Sequence, residues 1–242
     1  DKGPVSDIKN DVKDMVSQIQ GLKARLDDGN EFFRDRVKGI VSSTTESVVR
    51  KSGKLVSGMI DDTFNKIASH HSDFIYLVNF VGLIHNSPFF SLMRKEKYLT
   101  KTEFDHVLDL NLGATFTVSK QYLKICNEFG LKCNLINISS ISALGCPGQV
   151  AYSTSKLAIE GFTRSLALEL GPLGHRFNCI SPGYFDVEST RQNLTKKKLQ
   201  DIKEKISLKS FGKTESIAKA IIYIFSDDYI NGQVIRIDGG IF

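Results

Sequence analysis

Tyr152 and Lys156 stand four residues apart in the run Gln149-Val150-Ala151-Tyr152-Ser153-Thr154-Ser155-Lys156. On a helix that spacing puts phenol and ammonium on one face, where a positive charge favours the phenolate. A free phenol has a pKa of about 10, so to work as an acid or base near pH 7 its pKa must fall by roughly 3, which takes about 4 kcal/mol. Lys156 is the local source of such stabilisation. The bare pair is common on solvated helices, so its meaning depends on what surrounds it. Just upstream, Leu135-Ile136-Asn137-Ile138-Ser139-Ser140 is an apolar run ending in two hydroxyls.

Groups like these need a scaffold that delivers them to one place. From residue 70 onward, strand-like and helix-like segments alternate, as a parallel sheet covered by helices requires. Strands are expected near 74–79, 133–138, 176–181 and 233–237, each short, apolar and bounded by Gly, Pro or polar residues. Helices are expected near 60–70, 102–127, 152–170, 194–205 and 214–226. Gly171-Pro172-Leu173-Gly174 closes the helix carrying Tyr152 and Lys156, because Gly ends helices and Pro cannot continue them. Asn79, Ser140 and Pro182-Gly183 fall at the carboxyl ends of the strands, where open α/β sheets bind ligands. The expected fold class is α/β, a Rossmann-like doubly wound parallel sheet.

The order of short motifs resembles the short-chain dehydrogenase/reductase family. Leu77-Val78-Asn79-Phe80-Val81-Gly82 is similar to its Asn-Asn-Ala-Gly strand end, and Asn111 in Leu108-Asp109-Leu110-Asn111-Leu112 to its helix asparagine. Asn137-Ile138-Ser139-Ser140 resembles the strand that stops at the catalytic serine. Ser181-Pro182-Gly183 resembles the turn after the sixth strand, and Ile237-Asp238-Gly239-Gly240 the C-terminal signature. The motifs cover roughly residues 60 to 242. Among subfamilies, the tail from Ser207-Leu208-Lys209-Ser210-Phe211-Gly212 through Gly232-Gln233-Val234 is most similar to β-ketoacyl-carrier-protein reductases.

The resemblance implies a ketoreductase that uses NAD or NADP to reduce a carbonyl, such as a 3-oxoacyl thioester on a carrier protein or coenzyme A. In that reading Tyr152 is the general acid and Ser140 hydrogen-bonds the carbonyl oxygen where charge develops. Lys156 holds the nicotinamide ribose and lowers the Tyr152 pKa, and Asn111 links the lysine to solvent through a backbone kink and water. Asn79, Gly82, Pro182 and Gly183 join Tyr152 and Lys156 in holding the cofactor. The family separates serine and tyrosine by one residue more than Ser140 and Tyr152, which leaves Ser139 as the alternative. Ser140 is preferred because it follows the strand in the same Asn-Ile-Ser-Ser context and a deletion in loop 141–150 is easily absorbed. Where the family has a cofactor-binding threonine this chain has Val187, with Ser189 and Thr190 as neighbouring hydroxyls. The resemblance also implies a homodimer or homotetramer built on helices 102–127 and 152–170, or a pairing with a related reductase subunit.

Composition narrows the remaining classes. In this 242-residue chain, 41% hydrophobic and 24% charged residues are ordinary globular values. No apolar run approaches the roughly 20 residues that span a bilayer, so no membrane partner is expected. Cys126, Cys133, Cys146 and Cys179 are scattered, without a CxxC or a His at ligand spacing. They are read as packing residues in a reducing compartment, with no metal. The net charge of +5 is spread out, and its one dense run, Lys196-Lys197-Lys198, reads as a solvated helix face rather than a nucleic-acid patch. The expected location is the cytoplasm or the mitochondrial matrix. Phe185, Leu194 and Leu199 either line an apolar substrate pocket or pack the helix near 194–205 down.

Residues 1–58 depart from the family pattern. The Thr-Gly-x-x-x-Gly-x-Gly turn that cradles a pyrophosphate is missing. Instead Val5, Ile8, Val12, Met15, Ile19, Leu22 and Leu26 recur at alternating spacings of 3 and 4, an a/d heptad seam. Asp27-Asp28-Gly29-Asn30 reads as a turn and 31–50 as a second helical stretch. Ser52-Gly53-Lys54-Leu55-Val56-Ser57-Gly58 is a candidate displaced glycine loop, but only 20 residues separate Gly58 from Asn79. That is too few for the helix, strand, helix and strand that should intervene. The expectation is a helical segment 1–58 in place of the first βαβ part, ahead of a catalytic core 59–242. It carries an alternative function: a catalytically impaired member serving as an assembly or interaction subunit.

Overall fold

The computed structural model describes residues 40–42, 76–90, 98–187, 190–191 and 194–241. Five strands make one all-parallel sheet in chain order: β1 (Ile40–Ser42), β2 (Tyr76–Asn79), β3 (Asn134–Ile138), β4 (Arg176–Pro182) and β5 (Val234–Ile237). The helices are α1 (Lys101–Leu108), α2 (Ala114–Glu128), α3 (Val150–Leu170), α4 (Lys196–Lys205) and α5 (Thr214–Ser226).

Alternation along the strands assigns the two faces of the sheet. Leu77, Leu135 and Phe177 are buried with Val118, Tyr122, Ile125 and Cys126 of α2 and Ala167 of α3. Tyr76, Val78, Ile136, Ile138 and Ile180 are buried with Ile217, Ile221, Ile224 and Phe225 of α5. Each buried Val, Leu, Ile or Phe among them contributes about 1.5–3 kcal/mol by transfer, so helices on both faces are what make a four-residue strand like β2 stable. Arg176, at the start of β4, donates to the carbonyls of Ile224, Phe225 and Ile230, which satisfies the end of α5 and fixes it to the sheet.

The expected strands and helices downstream of residue 70 are present, with one difference there and one upstream. The helix expected over 102–127 is broken by a π-helical turn, Asp109–Gly113, between α1 and α2. Such wide turns gather at functional sites, and this one carries Asn111. The stretch 31–50, read as helical, contains the strand β1, paired in parallel with β2. Ile40 and Val41 are β-branched, and the sheet edge beside β2 rewards an extended chain more than an isolated helix does. The 1–26 heptad seam and the Ser52–Gly58 loop lie outside the described residues, as does the helix expected near 60–70. Of the two readings of Phe185, packing fits: it is buried against Gly212, where an added Cβ would meet its ring at 2.7 Å.

Lys196, Lys197 and Lys198 are exposed on the first turn of α4, which Thr195 caps by accepting from the Lys198 N–H. Cys126, Cys133 and Cys179 are buried and Cys146 half-buried, all four as free thiols. Among the described residues no helix is long and apolar enough to cross a membrane, and no cluster of His, Cys, Asp or Glu is arranged to hold a metal ion.

Candidate active site

The site is assembled at the carboxyl ends of β2, β3 and β4. Asn79, Asn137 and Cys179 are in register across these strands. Asn79 Nδ2 donates to Asn137 Oδ1 at 3.1 Å, and Asn137 Nδ2 donates to Thr163 Oγ1 of α3 at 3.0 Å. Asn79 Oδ1 in turn accepts from the Val81 N–H. This buried polar line fixes the turn after β2 and ties α3 to the sheet. It uses one donor and one acceptor position of the Asn79 amide at the carboxyl end of β2.

Lys156 lies fully buried on α3. Its Nζ donates to the carbonyl of Ile138 at 2.9 Å and to that of Val81 at 3.4 Å. Desolvation pushes the ammonium down to about 8, with the neighbouring Cys179 working weakly the other way. Gly82 makes room for it, since a Cβ there would stand 2.7 Å from Nζ.

Asn111 is likewise buried. Its Oδ1 accepts from the Leu83 N–H at 2.6 Å, and its Nδ2 donates to the Leu83 carbonyl at 3.2 Å and to Ser155 Oγ at 2.8 Å. Ser155 donates its own proton to the Tyr152 carbonyl at 2.7 Å. The asparagine thereby joins the turn after β2 to the first turns of α3.

Tyr152 is 7% exposed, one turn before Lys156. Burial pushes its phenol up to about 12; a hydrogen bond with the Ser140 hydroxyl pulls downward, and Tyr184 adds to the rise. This corrects the expectation that Lys156 brings the phenol toward neutrality. The ammonium, 5.7 Å from the centre of the Tyr152 ring, is turned to backbone carbonyls, and desolvation dominates. At neutral pH the phenol therefore keeps its proton and can donate it, but as a weaker acid than one tuned toward pH 7.

The two candidate serines face opposite ways. Ser140 begins the 3₁₀ turn Ile141–Leu144, accepts from the Ser142 N–H at 3.1 Å, and meets Tyr152. Ser139 is buried, and its hydroxyl lies toward the Lys156 carbonyl and Glu160 Oε1. Pro182 and Gly183 end β4 beside β5. A Cβ on Gly183 would stand 2.6 Å from Asp238 Cα, so only glycine lets the C-terminal segment approach. Val187, in the threonine's place, packs against the apolar face under α5. Thr190 is half-buried, and Ser189 lies outside the described residues.

Asn111, Ser140, Tyr152, Lys156, Gly82 and Gly183 are thus placed at one edge of the sheet. Sequence reasoning passed over Asn137, Ser155, Glu160 and Thr163. The signal was present for Ser155, which sits beside Lys156 in the motif, and for Asn137, which precedes the serines. Glu160 and Thr163 follow Lys156 by four and seven residues, positions of one helix face.

A parallel sheet flanked by helices on both faces, carrying this asparagine, serine, tyrosine and lysine at its carboxyl edge, defines a short-chain dehydrogenase/reductase. The chain belongs to that family: a family model described as enoyl-(acyl carrier protein) reductase matches residues 24–241. The match reaches well upstream of the motifs that begin near residue 60. Over 240 residues the chain is 30% identical to the 3-oxoacyl-(acyl-carrier-protein) reductase FabG of Thermotoga maritima, covering 96% of this chain and 84% of that protein. It is 38% identical over 143 residues to FabG of Rickettsia conorii, covering 57% of this chain and 58% of that protein. The chain thus spans less than two thirds of the length of the rickettsial relative.

Among solved structures, a short chain dehydrogenase from Bacillus anthracis superposes with a TM-score of 0.66 at 26% identity, covering 79% of this chain and 72% of that one. A 4-hydroxyisoleucine dehydrogenase complexed with NADH gives 0.67 at 32% identity, covering 76% and 74%.

Proposed function

We propose that this protein is an NAD(P)-dependent ketoreductase whose substrate is a 3-oxoacyl thioester, carried on an acyl-carrier protein or coenzyme A. The observation that carries the reading is the pairing of a buried, protonated Tyr152 phenol with the Ser140 hydroxyl, one helical turn from a buried ammonium. Two hydroxyls meeting at one point suit a single oxygen that gains charge during reaction.

The residues present fit the nicotinamide end of such a cofactor. Lys156 is a buried cation held by two carbonyl acceptors, the longer at 3.4 Å, and Gly82 offers no side chain to compete with a vicinal diol for its protons. Tyr152, Lys156, Gly82, Pro182 and Gly183 would hold the nicotinamide and its ribose, over the turn braced by Asn79. When bound, the cofactor supplies a hydride to the carbonyl carbon. Tyr152 donates its proton to the carbonyl oxygen, which as an alkoxide is a stronger base than the phenolate left behind. Ser140 hydrogen-bonds the same oxygen and holds it in reach of the phenol. Lys156 orients the ribose, with its ammonium 5.7 Å from the centre of the Tyr152 ring. Asn111 keeps the turn after β2 locked to α3 through Leu83 and Ser155.

Ile84, Phe89 and Phe90 after β2 and Leu144 after β3 are exposed at this edge, which suits an acyl substituent. The alternative of a non-catalytic assembly subunit is the weaker reading, because all four chemical groups are brought together. The test is a nicotinamide fluorescence titration with NADH and NADPH, followed by turnover of 3-oxoacyl and 2-enoyl thioesters. Saturable binding and oxidation of the cofactor by the 3-oxoacyl thioester are expected. Turnover of the enoyl thioester alone would overturn the ketoreductase reading.

We further propose that the protein is a homodimer or homotetramer. Phe116 on α2 and Leu157 and Leu168 on α3 are more than half exposed, on the two helices that the family resemblance assigns to a subunit interface. Light scattering at micromolar concentration should give twice or four times the 27.0 kDa chain mass. A monomer would contradict the assignment.

A further inference from the structure

The serines that end β3 divide their work, and the partner of the inward one is a carboxylate with no role in the chemistry above. The Ser139 hydroxyl lies 2.9 Å from Glu160 Oε1 and 3.0 Å from the Lys156 carbonyl oxygen. Glu160 is only 7% exposed, one helical turn beyond Lys156, with its second oxygen 3.8 Å from Arg164 Nη2. Carboxylates are seldom this buried unless a hydrogen-bonded partner compensates the lost hydration. The Ser139 N–H donates to the Ile180 carbonyl at 2.8 Å, so its backbone is held by β4 while its hydroxyl reaches α3. Residue 139 therefore ties the sheet to the turn of α3 that bears Lys156, and the next residue presents its hydroxyl to Tyr152.

We propose that Glu160 and Ser139 are positioning residues, a carboxylate–hydroxyl latch that sets α3 against the end of β3 so that Ser140 and Tyr152 reach the same substrate oxygen. The inference rests on the ketoreductase reading. Neither side chain touches the reacting atoms. The latch acts by geometry, and a slip of about 1 Å between reacting groups costs roughly 10²-fold in rate.

The experiment compares Ser139→Ala, Glu160→Ala, Glu160→Gln and the double alanine variant with wild type, using Tyr152→Phe as the chemical control. Each alanine variant should lose roughly 10- to 100-fold in kcat, while KM for the nicotinamide cofactor stays within about twofold. The double variant should lose no more than the worse single one, because both cut the same link. Glu160→Gln keeps an acceptor oxygen for Ser139 and should retain turnover within about threefold of wild type.

Amide hydrogen exchange in cofactor-free protein provides a second readout. The alanine variants should speed exchange over residues 139–144 and 150–160, again without further gain in the double variant. Additive losses, wild-type kcat in either alanine variant, or a Gln variant as damaged as the Ala variant would overturn the latch. No turnover in wild type, or full turnover in Tyr152→Phe, would instead sink the ketoreductase reading. The exchange data then decide the latch alone, and additive or unchanged exchange rejects it.

Discussion

Tyr152→Phe should abolish carbonyl reduction while leaving the fold intact. The change removes one hydroxyl from a ring that is 7% exposed, and the ring's packing on α3 is unchanged. What disappears is the transferable proton and the hydrogen bond with Ser140. Loss of a general acid costs about 10²- to 10⁴-fold in rate. Lys156, Gly82, Pro182 and Gly183 are untouched by the change, so cofactor binding should persist with the loss of at most the one contact from the Tyr152 hydroxyl. Steady-state turnover alongside a fluorescence titration separates the two effects. Variant turnover within a few-fold of wild type would remove Tyr152 from the chemistry.

Lys156→Met is expected to abolish turnover as well, and in addition to change how stability depends on pH. The lysine is buried with backbone carbonyls as its partners, and its pKa falls from 10.5 to about 8, so the folded state resists its charge. That fall corresponds to roughly 3 kcal/mol opposing folding at neutral pH. Methionine fills similar space without a charge, though it leaves the Ile138 and Val81 carbonyls short of a donor, a loss of about 1–3 kcal/mol that offsets the gain at pH 7.

The pH dependence isolates the lysine. Between about pH 8 and 10.5 the unfolded chain still holds the proton that the folded chain has released, so stability rises with pH over that window. Below pH 8 both states are protonated and the full penalty applies. Wild type should therefore gain on Lys156→Met by up to roughly 3 kcal/mol between pH 7 and 10.5 in urea unfolding. Cofactor oxidation by the variant should be undetectable, because the cation that orients the ribose is gone. Parallel stability curves for the two proteins across this range would show that Lys156 carries no such penalty. A buried charge that costs stability and is kept for function is a familiar trade.

The core was legible in the sequence where local pattern and tertiary demand agree. Runs such as Leu135-Ile136-Asn137-Ile138 are short and mostly apolar, with two β-branched residues, and they form strands because a parallel sheet buried on both faces asks for that pattern. The Tyr152 and Lys156 spacing, the Gly171-Pro172 stop and the strand-end serines are likewise local facts, readable without a fold. The strand within 31–50 escapes a reading by pattern because three residues carry almost no periodic signal. Ile40–Ser42 is extended by virtue of its parallel pairing to β2, a contact 36 residues away in the chain.

At the site, the sequence determined which groups are present and roughly where along the strands they emerge. Only the tertiary structure decided what each faces, since orientation is set by contacts between distant segments. It turned Ser139 into α3 and Ser140 toward Tyr152, a choice that residue counting left open by one position. It raised the phenol where the sequence suggested lowering it, because burial of both Tyr152 and Lys156 outweighs their proximity, and burial is a property of the whole packed molecule.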